Sequence, residues 1–249
     1  GSIQAVKDAG FDLAKENLSA LVRAGHKVLA CVTQPDRPKG RALQMAYPFP
    51  KEFALKNGIE VLQPIDLTDK DFLGRLRFLA ADLFVVIAYG RILTDAILSI
   101  PRIFSINLHA SLLPKYRGAA PINWAVMNGE TETGISIIKI SPKLDEGEIL
   151  AQKKILIDDD DDAVSLKERM KLEGPRILLD TIQSLQNDEF CLVKQDHAKA
   201  TLAPKLTKET GRINWKKEAG VIHNTVRGLT PWPSASTNFS SAKAGLEKN

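Results

Sequence analysis

The alternation of apolar and polar positions divides the chain into short elements. "HKVLACVTQP" (26–35) is a mostly apolar run of strand length that ends at a proline. "KEFALKNG" (51–58) has helical spacing closed by Gly58, and "IEVLQP" (59–64) is strand-like again. "DKDFLGRLRFL" (69–79) is amphipathic with acids in its first turn, which suits a helix dipole, and "DLFVVIAYG" (82–90) is an almost unbroken apolar strand. A short helical piece near "TDAILSI" then leads to the strand "FSINLHA" (104–110) and the helix "PINWAVMNG" (121–129), with Pro121 early in the helix and Gly129 as its stop. Beyond it the pattern changes. "GISIIKI" and "GEILAQKKILI" follow one another across a loop, as in an antiparallel or mixed extension, before one long helix, "AVSLKERMKLEGPRILLDTIQSLQN", which Pro175 is expected to kink.

Apolar strands alternating with helices predict an α/β protein whose mostly parallel sheet is covered on both faces. Residues 1–186 carry this pattern. Residues 187–203, charged and without helical period, read as an extended linker. Residues 204–249 hold a strand-like piece ending at Trp215, a helix and a Pro-Trp-Pro corner, too little for a dependable core of their own.

Composition narrows the class without naming an activity. The chain is 44% hydrophobic and 26% charged, as expected of a globular protein, and its longest apolar run is interrupted by Asp82 and too short to cross a bilayer. With no secretory leader pattern, a cytoplasmic protein with no membrane partner is expected. The two cysteines, Cys31 and Cys191, make neither a disulfide framework nor a zinc spacing, and both read as packing residues. The formal charge of +4 is unevenly placed. From Lys199 onward nine basic residues face three acids, net +6, which leaves the preceding chain at −2. A basic tail on a near-neutral body suits a polyanionic partner such as nucleic acid, although a solvated surface has the same composition.

Candidate chemistry begins at "INLHASLLPKYRGAAPINW" (106–124). Residues two apart on a strand share a face, so Asn107, His109 and Ser111 are expected to project together at a strand's carboxyl end, where open α/β sheets bind ligands. Asp145, in the turn "LDEGEIL", is a carboxylate that could accept from His109 and set its tautomer, leaving the other ring nitrogen for chemistry; a plain turn former fits the same residue. An amide that can donate to an oxyanion and an imidazole that can exchange a proton suit acyl transfer between nitrogens. Ser111 as a nucleophile is the competing idea, but it lacks a strand-to-helix elbow. The run Asp158 to Asp162 has no calcium-loop spacing and immediately precedes a helix, so capping rather than metal binding is expected. His26, His197 and His223 receive no role, and Trp124, Trp215 and Trp232 read as packing residues.

"NLHASLLPKYRGAAPINWAVMNGETETGISI", followed by "LDEGEIL", resembles the family of formyltransferases that use 10-formyltetrahydrofolate. The similarity spans about residues 18 to 235. It implies a Rossmann-like catalytic domain over 1–186 and, over 204–249, part of a β-barrel-type domain that binds tRNA. Asn107, His109 and Asp145 fall on the catalytic positions: the resemblance implies that Asn107 polarises the formyl carbonyl and that His109, oriented by Asp145, assists attack by an amine. Folate contacts are implied for Ala88, Tyr89, Gly90, Ile92 and Leu93, which line a pteridine pocket, and for Ser111, Leu112, Leu113 and Pro114. No metal is implied. "TQPDRPKGR", "YRGAAPINW", "APKLTKETGRINW" and "IHNTVRGLTPWP" resemble the branch whose acceptor is the amine of methionine on initiator tRNA, with Arg37, Lys39 and Arg41 in the loop that reaches the acceptor end. The expectation is thus a monomeric enzyme of translation initiation taking a formyl group from the folate donor. A formyltransferase acting on an amino-sugar nucleotide, or a catalytically weak folate- or RNA-binding relative, are the alternatives. Two features depart from the family pattern. "GSIQAVKDAGFDLAKENL" stands where an opening strand and glycine turn belong, so the sheet is expected to lose a central member, and "SASTNFSSAKAGLEKN" reads as tail where the barrel would continue.

Overall fold

The computed structural model describes residues 3–39, 44–46 and 48–238, with side chains described at 13–36, 48 and 50–238. The first described element is helix α1 (Ile3–Arg23). Leu13, Asn17 and Ala20, one helical face, are buried. That face packs on the long helix α6 (Ala163–Gln186), where Gly174 permits close approach: a Cβ there would lie 3.2 Å from Asn17 Nδ2 and 3.3 Å from Leu13 Cδ1. Helix α2 (Phe49–Lys56) covers α1 from another side.

Among the described residues the strands fall into separate sheets. Strand β1 (Ala30–Val32) pairs in parallel only with β4 (Glu60–Leu62). A separate four-stranded sheet runs in the order β5 (Leu83–Ile87), β6 (Phe104–His109), β8 (Glu132–Lys139), β9 (Ile149–Leu156). β5 and β6 are parallel, while β8 and β9 extend the sheet antiparallel, as the change of pattern in the sequence predicts. Every residue of the all-apolar β5 is half-buried, and among the described residues β6 is its one strand neighbour. Helix α3 (Lys70–Leu79) and the short α4 (Asp95–Leu98) bridge the two sheets through Phe72, Leu76 and Ile97, with Val32, Leu62 and Phe84 packed against them. The main core lies between the four-stranded sheet and α6, where Ile106, Ile135, Ile137, Leu166, Met170 and Leu178 are fully enclosed.

Helix α6 runs through Pro175 unbroken and starts at a capping box, in which Asp162 accepts from the Val164 and Ser165 amides and Ser165 answers. The aspartate run therefore caps a helix, and Asp161 also pairs with Arg169. Residues 187–203 are less free than a linker: Val193 bridges Ile149, and β10 (Leu202–Ala203) pairs in parallel with β7 (Arg117–Gly118). "RINW" is not a strand; only Arg212 makes a bridge, to Ser236. Helix α5 (Pro121–Met127) meets α7 (Ala219–Gly228) over a small core of Ala120, Leu206, Leu229 and Trp232. Two residues that read as packing groups in the sequence stand at the surface. Trp215 is 65% exposed, and Cys191 is exposed. Cys191 alternates with the half-buried Phe190 and Leu192 and takes the outward phase, and Trp215 donates its indole N–H to Thr237 at the surface. Among the described residues no helix is long and apolar enough to cross a membrane.

Candidate active site

Strand β6 carries the first two groups, because its period sends Asn107 and His109 to the same face. The parallel register sets Val86 opposite Asn107 and Ile87 opposite Leu108, so the end of β5 and the segment from Ala88 onward lie beside this pair. The strand stops at His109, and the two-residue alternation does not reach Ser111. That residue is fully buried, and its hydroxyl donates to Lys115 O at 2.6 Å. It braces the turn and is not available as a nucleophile.

His109 is buried with both ring nitrogens facing acceptors. Nε2 lies 2.8 Å from the Tyr116 carbonyl, which can only accept, so Nε2 carries a proton. Nδ1 lies 3.6 Å from Asp145 Oδ2, longer than a hydrogen bond. The sequence suggested that Asp145 sets the tautomer; the structure gives that task to the Tyr116 main chain and leaves Nδ1 beside the carboxylate. No sequence pattern signals a carbonyl of this kind. Tyr116 itself is fixed by its side chain, whose hydroxyl donates to Glu130 at 2.8 Å and accepts from Asn128. Burial, with the neighbouring Glu130 carboxylate, pushes the phenol up to about 12.

Asp145 reaches the pair from the loop after β8. Its backbone is left-handed, φ 51°, a conformation Asp tolerates better than most residues. Oδ1 accepts a long bond from Asn107 Nδ2 (3.4 Å), and Oδ2 accepts from the Gly118 amide (2.9 Å). Amide, imidazole and carboxylate thus converge from two separate segments. The arrangement can donate to a carbonyl oxygen and hold an imidazolium, which are the requirements of attack at an acyl carbon.

The other expected site residues are placed unevenly. Ala88 and Gly90 are exposed and left-handed (φ 49° and 75°), Ile92 is 74% exposed, and Tyr89 and Leu93 pack against the Phe72, Leu76 and Ile97 cluster. Leu113 is buried, with Leu112 and Pro114 half-buried. This segment is tied to the sheet by Ser136, whose hydroxyl donates to Ser111 O and accepts from the Leu113 amide and from Gln152. Arg37 and Lys39 lie in β2 (Arg37–Lys39), opposite Ala46 and Gln44 of β3 (Gln44–Ala46). Their side chains, and the whole of Arg41, lie outside the described residues. A cavity of about 450 Å³ lies elsewhere, between β9, α6 and residues 189–191, and none of the converging groups lines it.

The model of the family described as "Formyl transferase" matches residues 5–182, and that described as "Formyl transferase, C-terminal domain" matches residues 205–246. Methionyl-tRNA formyltransferase of Geobacter metallireducens is 46% identical over 95% of this chain and 76% of its own length. The protein of the same name from Acetivibrio thermocellus is 45% identical over 93% and 75%. The fold is shared with the N-formyltransferase of Helicobacter canadensis, solved with folinic acid and dTDP-3-aminofucose (TM-score 0.66, 21% identity, 87% of this chain and 76% of that one). It is also shared with glycinamide ribonucleotide transformylase 1 of Symbiobacterium toebii (TM-score 0.62, 19% identity, 75% and 90%).

Proposed function

The chain belongs to the formyl transferase family, and on that premise we propose that it moves the formyl group of 10-formyltetrahydrofolate to the amino group of methionine on initiator tRNA, in the cytoplasm, to support translation initiation. The observation that carries the reading is the convergence of Asn107, His109 and Asp145 on one strand end. Support for the acceptor comes from relatives near 45% identity that bear the methionyl-tRNA name along most of this chain.

In this reading the Asn107 amide donates to the formyl oxygen as it gains charge, which stabilises the tetrahedral state. His109 takes the proton of the attacking amine on Nδ1, its Nε2 proton being held by Tyr116 O. Asp145, at 3.6 Å, steadies the imidazolium so formed. The new bond joins the amine nitrogen to the formyl carbon, the bond from that carbon to the donor nitrogen breaks, and His109 returns the proton to the departing nitrogen. The exposed, left-handed Ala88 and Gly90 follow the end of β5 beside this strand end, and with Tyr89, Ile92, Leu93 and the Ser111 to Pro114 segment they would hold the folate. Ser111 would contribute through its main chain, since its hydroxyl is bonded to Lys115. Arg37, Lys39 and Arg41 would meet the phosphates of the acceptor end.

The test is formyl transfer from the folate donor to methionyl-tRNA, run beside amino-sugar nucleotides. Formylated methionyl-tRNA as the sole product is expected. A formylated amino sugar, or folate binding without turnover on either acceptor, overturns the proposal.

A further inference from the structure

We propose that Gln195 is a positioning residue that locks the Asp145 loop in its left-handed shape and so keeps the carboxylate beside His109 and Asn107. The idea rests on the formyl-transfer reading above. Gln195 is 6% exposed, yet its neighbours Lys194 and Asp196 are both exposed. A polar side chain driven inward from an exposed segment has to be met by partners, and this one is met completely. Nε2 donates to Asp145 O at 2.8 Å and to Gly147 O at 2.7 Å, the carbonyls on either side of Glu146. Oε1 accepts from Arg117 Nε at 3.1 Å and Nη2 at 2.7 Å. Because a guanidinium only donates and carbonyls only accept, the amide can face one way alone.

Arg117 completes the brace. It is 5% exposed, and its Nη1 pairs with Glu146 at 3.2 Å. The next residue, Gly118, gives its amide to Asp145 Oδ2. One side of the clamp therefore holds the loop's carbonyls and the other holds its carboxylate. A non-glycine residue at φ 51° is kept there only when its surroundings over-determine it, and these bonds supply that constraint. The segment carrying Gln195 is itself fastened, by the Val193 bridge to Ile149 on one side and the β10–β7 pairing on the other. The chain between the catalytic body and the basic tail thus reaches back into the site.

The test uses Gln195→Glu, nearly the same shape. Glutamate keeps the bonds from Arg117 but sets an acceptor against Asp145 O and Gly147 O. Loosening the loop by about 1 Å predicts a kcat loss of about 100-fold, with KM for donor and acceptor changed less than about threefold. The ratio of variant to wild-type kcat should climb as pH falls, since a protonated glutamate can donate again. A merely structural anchor would be satisfied by the Arg117 pair, so Q195E activity within about threefold of wild type at neutral pH overturns the proposal. Gln195→Met, which lacks both charge and donors, must lower kcat likewise, and it decides the matter should Q195E fail to fold. Should the wild-type chain transfer no formyl group, the functional reading falls by itself. The brace is then judged by a crystal structure of Q195E: an Asp145 carboxylate displaced from His109 supports it, and an unmoved one overturns it.

Discussion

The main-chain carbonyl of Tyr116 holds Nε2 of His109 at 2.8 Å, which leaves Nδ1 as the nitrogen that faces Asp145. In the proposed reaction, proton exchange falls to Nδ1, because the Tyr116 carbonyl occupies Nε2. His109→Ala is expected to lower kcat by about 1,000-fold, the scale of a lost general base, and to lower thermal stability as well, since it leaves the Tyr116 carbonyl without its donor. Asp145→Asn keeps the acceptor for Gly118 but removes the charge that steadies the imidazolium, so a smaller loss is expected. Single-turnover rates for both variants check this, and a D145N rate below that of H109A would reverse the assigned roles.

Asn107 pairs with Val86, two positions before Ala88 on the neighbouring strand, and its side-chain amide donates a long 3.4 Å bond to Asp145. A weakly engaged amide is well placed to turn to an oxyanion, and removing one such donor costs about 100- to 1,000-fold in kcat. Asn107→Ala should show that loss with folate binding, followed by fluorescence titration, nearly unchanged. A variant that binds folate poorly yet turns over normally once saturated would make Asn107 a binding group and not a source of transition-state stabilisation.

Much of this was legible in the sequence, and the gaps have physical causes. The strand FSINLHA, its parallel neighbour DLFVVIAYG, the antiparallel pair and the long capped helix follow from local periodicity, and their observed bounds differ by up to three residues, the largest difference being the end of β5 at Ile87. Asn107 and His109 were legible because they lie two apart on one strand. Ser111 was misread because the strand ends at His109, and a period of two means nothing beyond that point. Tyr116 O, the Gly118 amide and Gln195 left no signal: two are main-chain groups, and the third lies in a charged segment without period. Contacts across 27 or 50 positions depend on the tertiary fold, which local pattern does not encode.

Gly147 offers a check on the loop from its other side. A Cβ there would fall 1.7 Å from Lys139 O, a main-chain atom at the end of β8 that cannot turn away. Gly147→Ala must therefore move the loop, lowering both melting temperature and kcat. Gly220, in the first turn of α7, has nothing within 4 Å of its would-be Cβ. Gly220→Ala is expected to stabilise the protein by about 0.5 kcal/mol through helix propensity, without touching kcat. Thermal unfolding and initial rates on the two variants separate loop geometry from a general glycine effect.

Acid stability should depend on Asp161, which is 8% exposed. Burial raises its carboxyl, but the Asp158 amide, the Ser165 hydroxyl and Arg169 together outweigh that and hold it below its ordinary 3.8. A carboxyl lowered in the folded state contributes stability that is fully present above 3.8 and is lost as pH falls through its lowered folded value. The same loop offers the Asp158 and Asp161 carbonyls to Arg227 of α7, so loosening it also frees the C-terminal helix. Asp161→Asn is expected to cost about 2 kcal/mol at neutral pH, the scale of hydrogen bonds to a charged group, and to converge on wild type in strong acid. Urea unfolding at several pH values measures both. A stability gap that stays constant from neutral pH into strong acid would show that the ionised carboxylate is not what holds the loop.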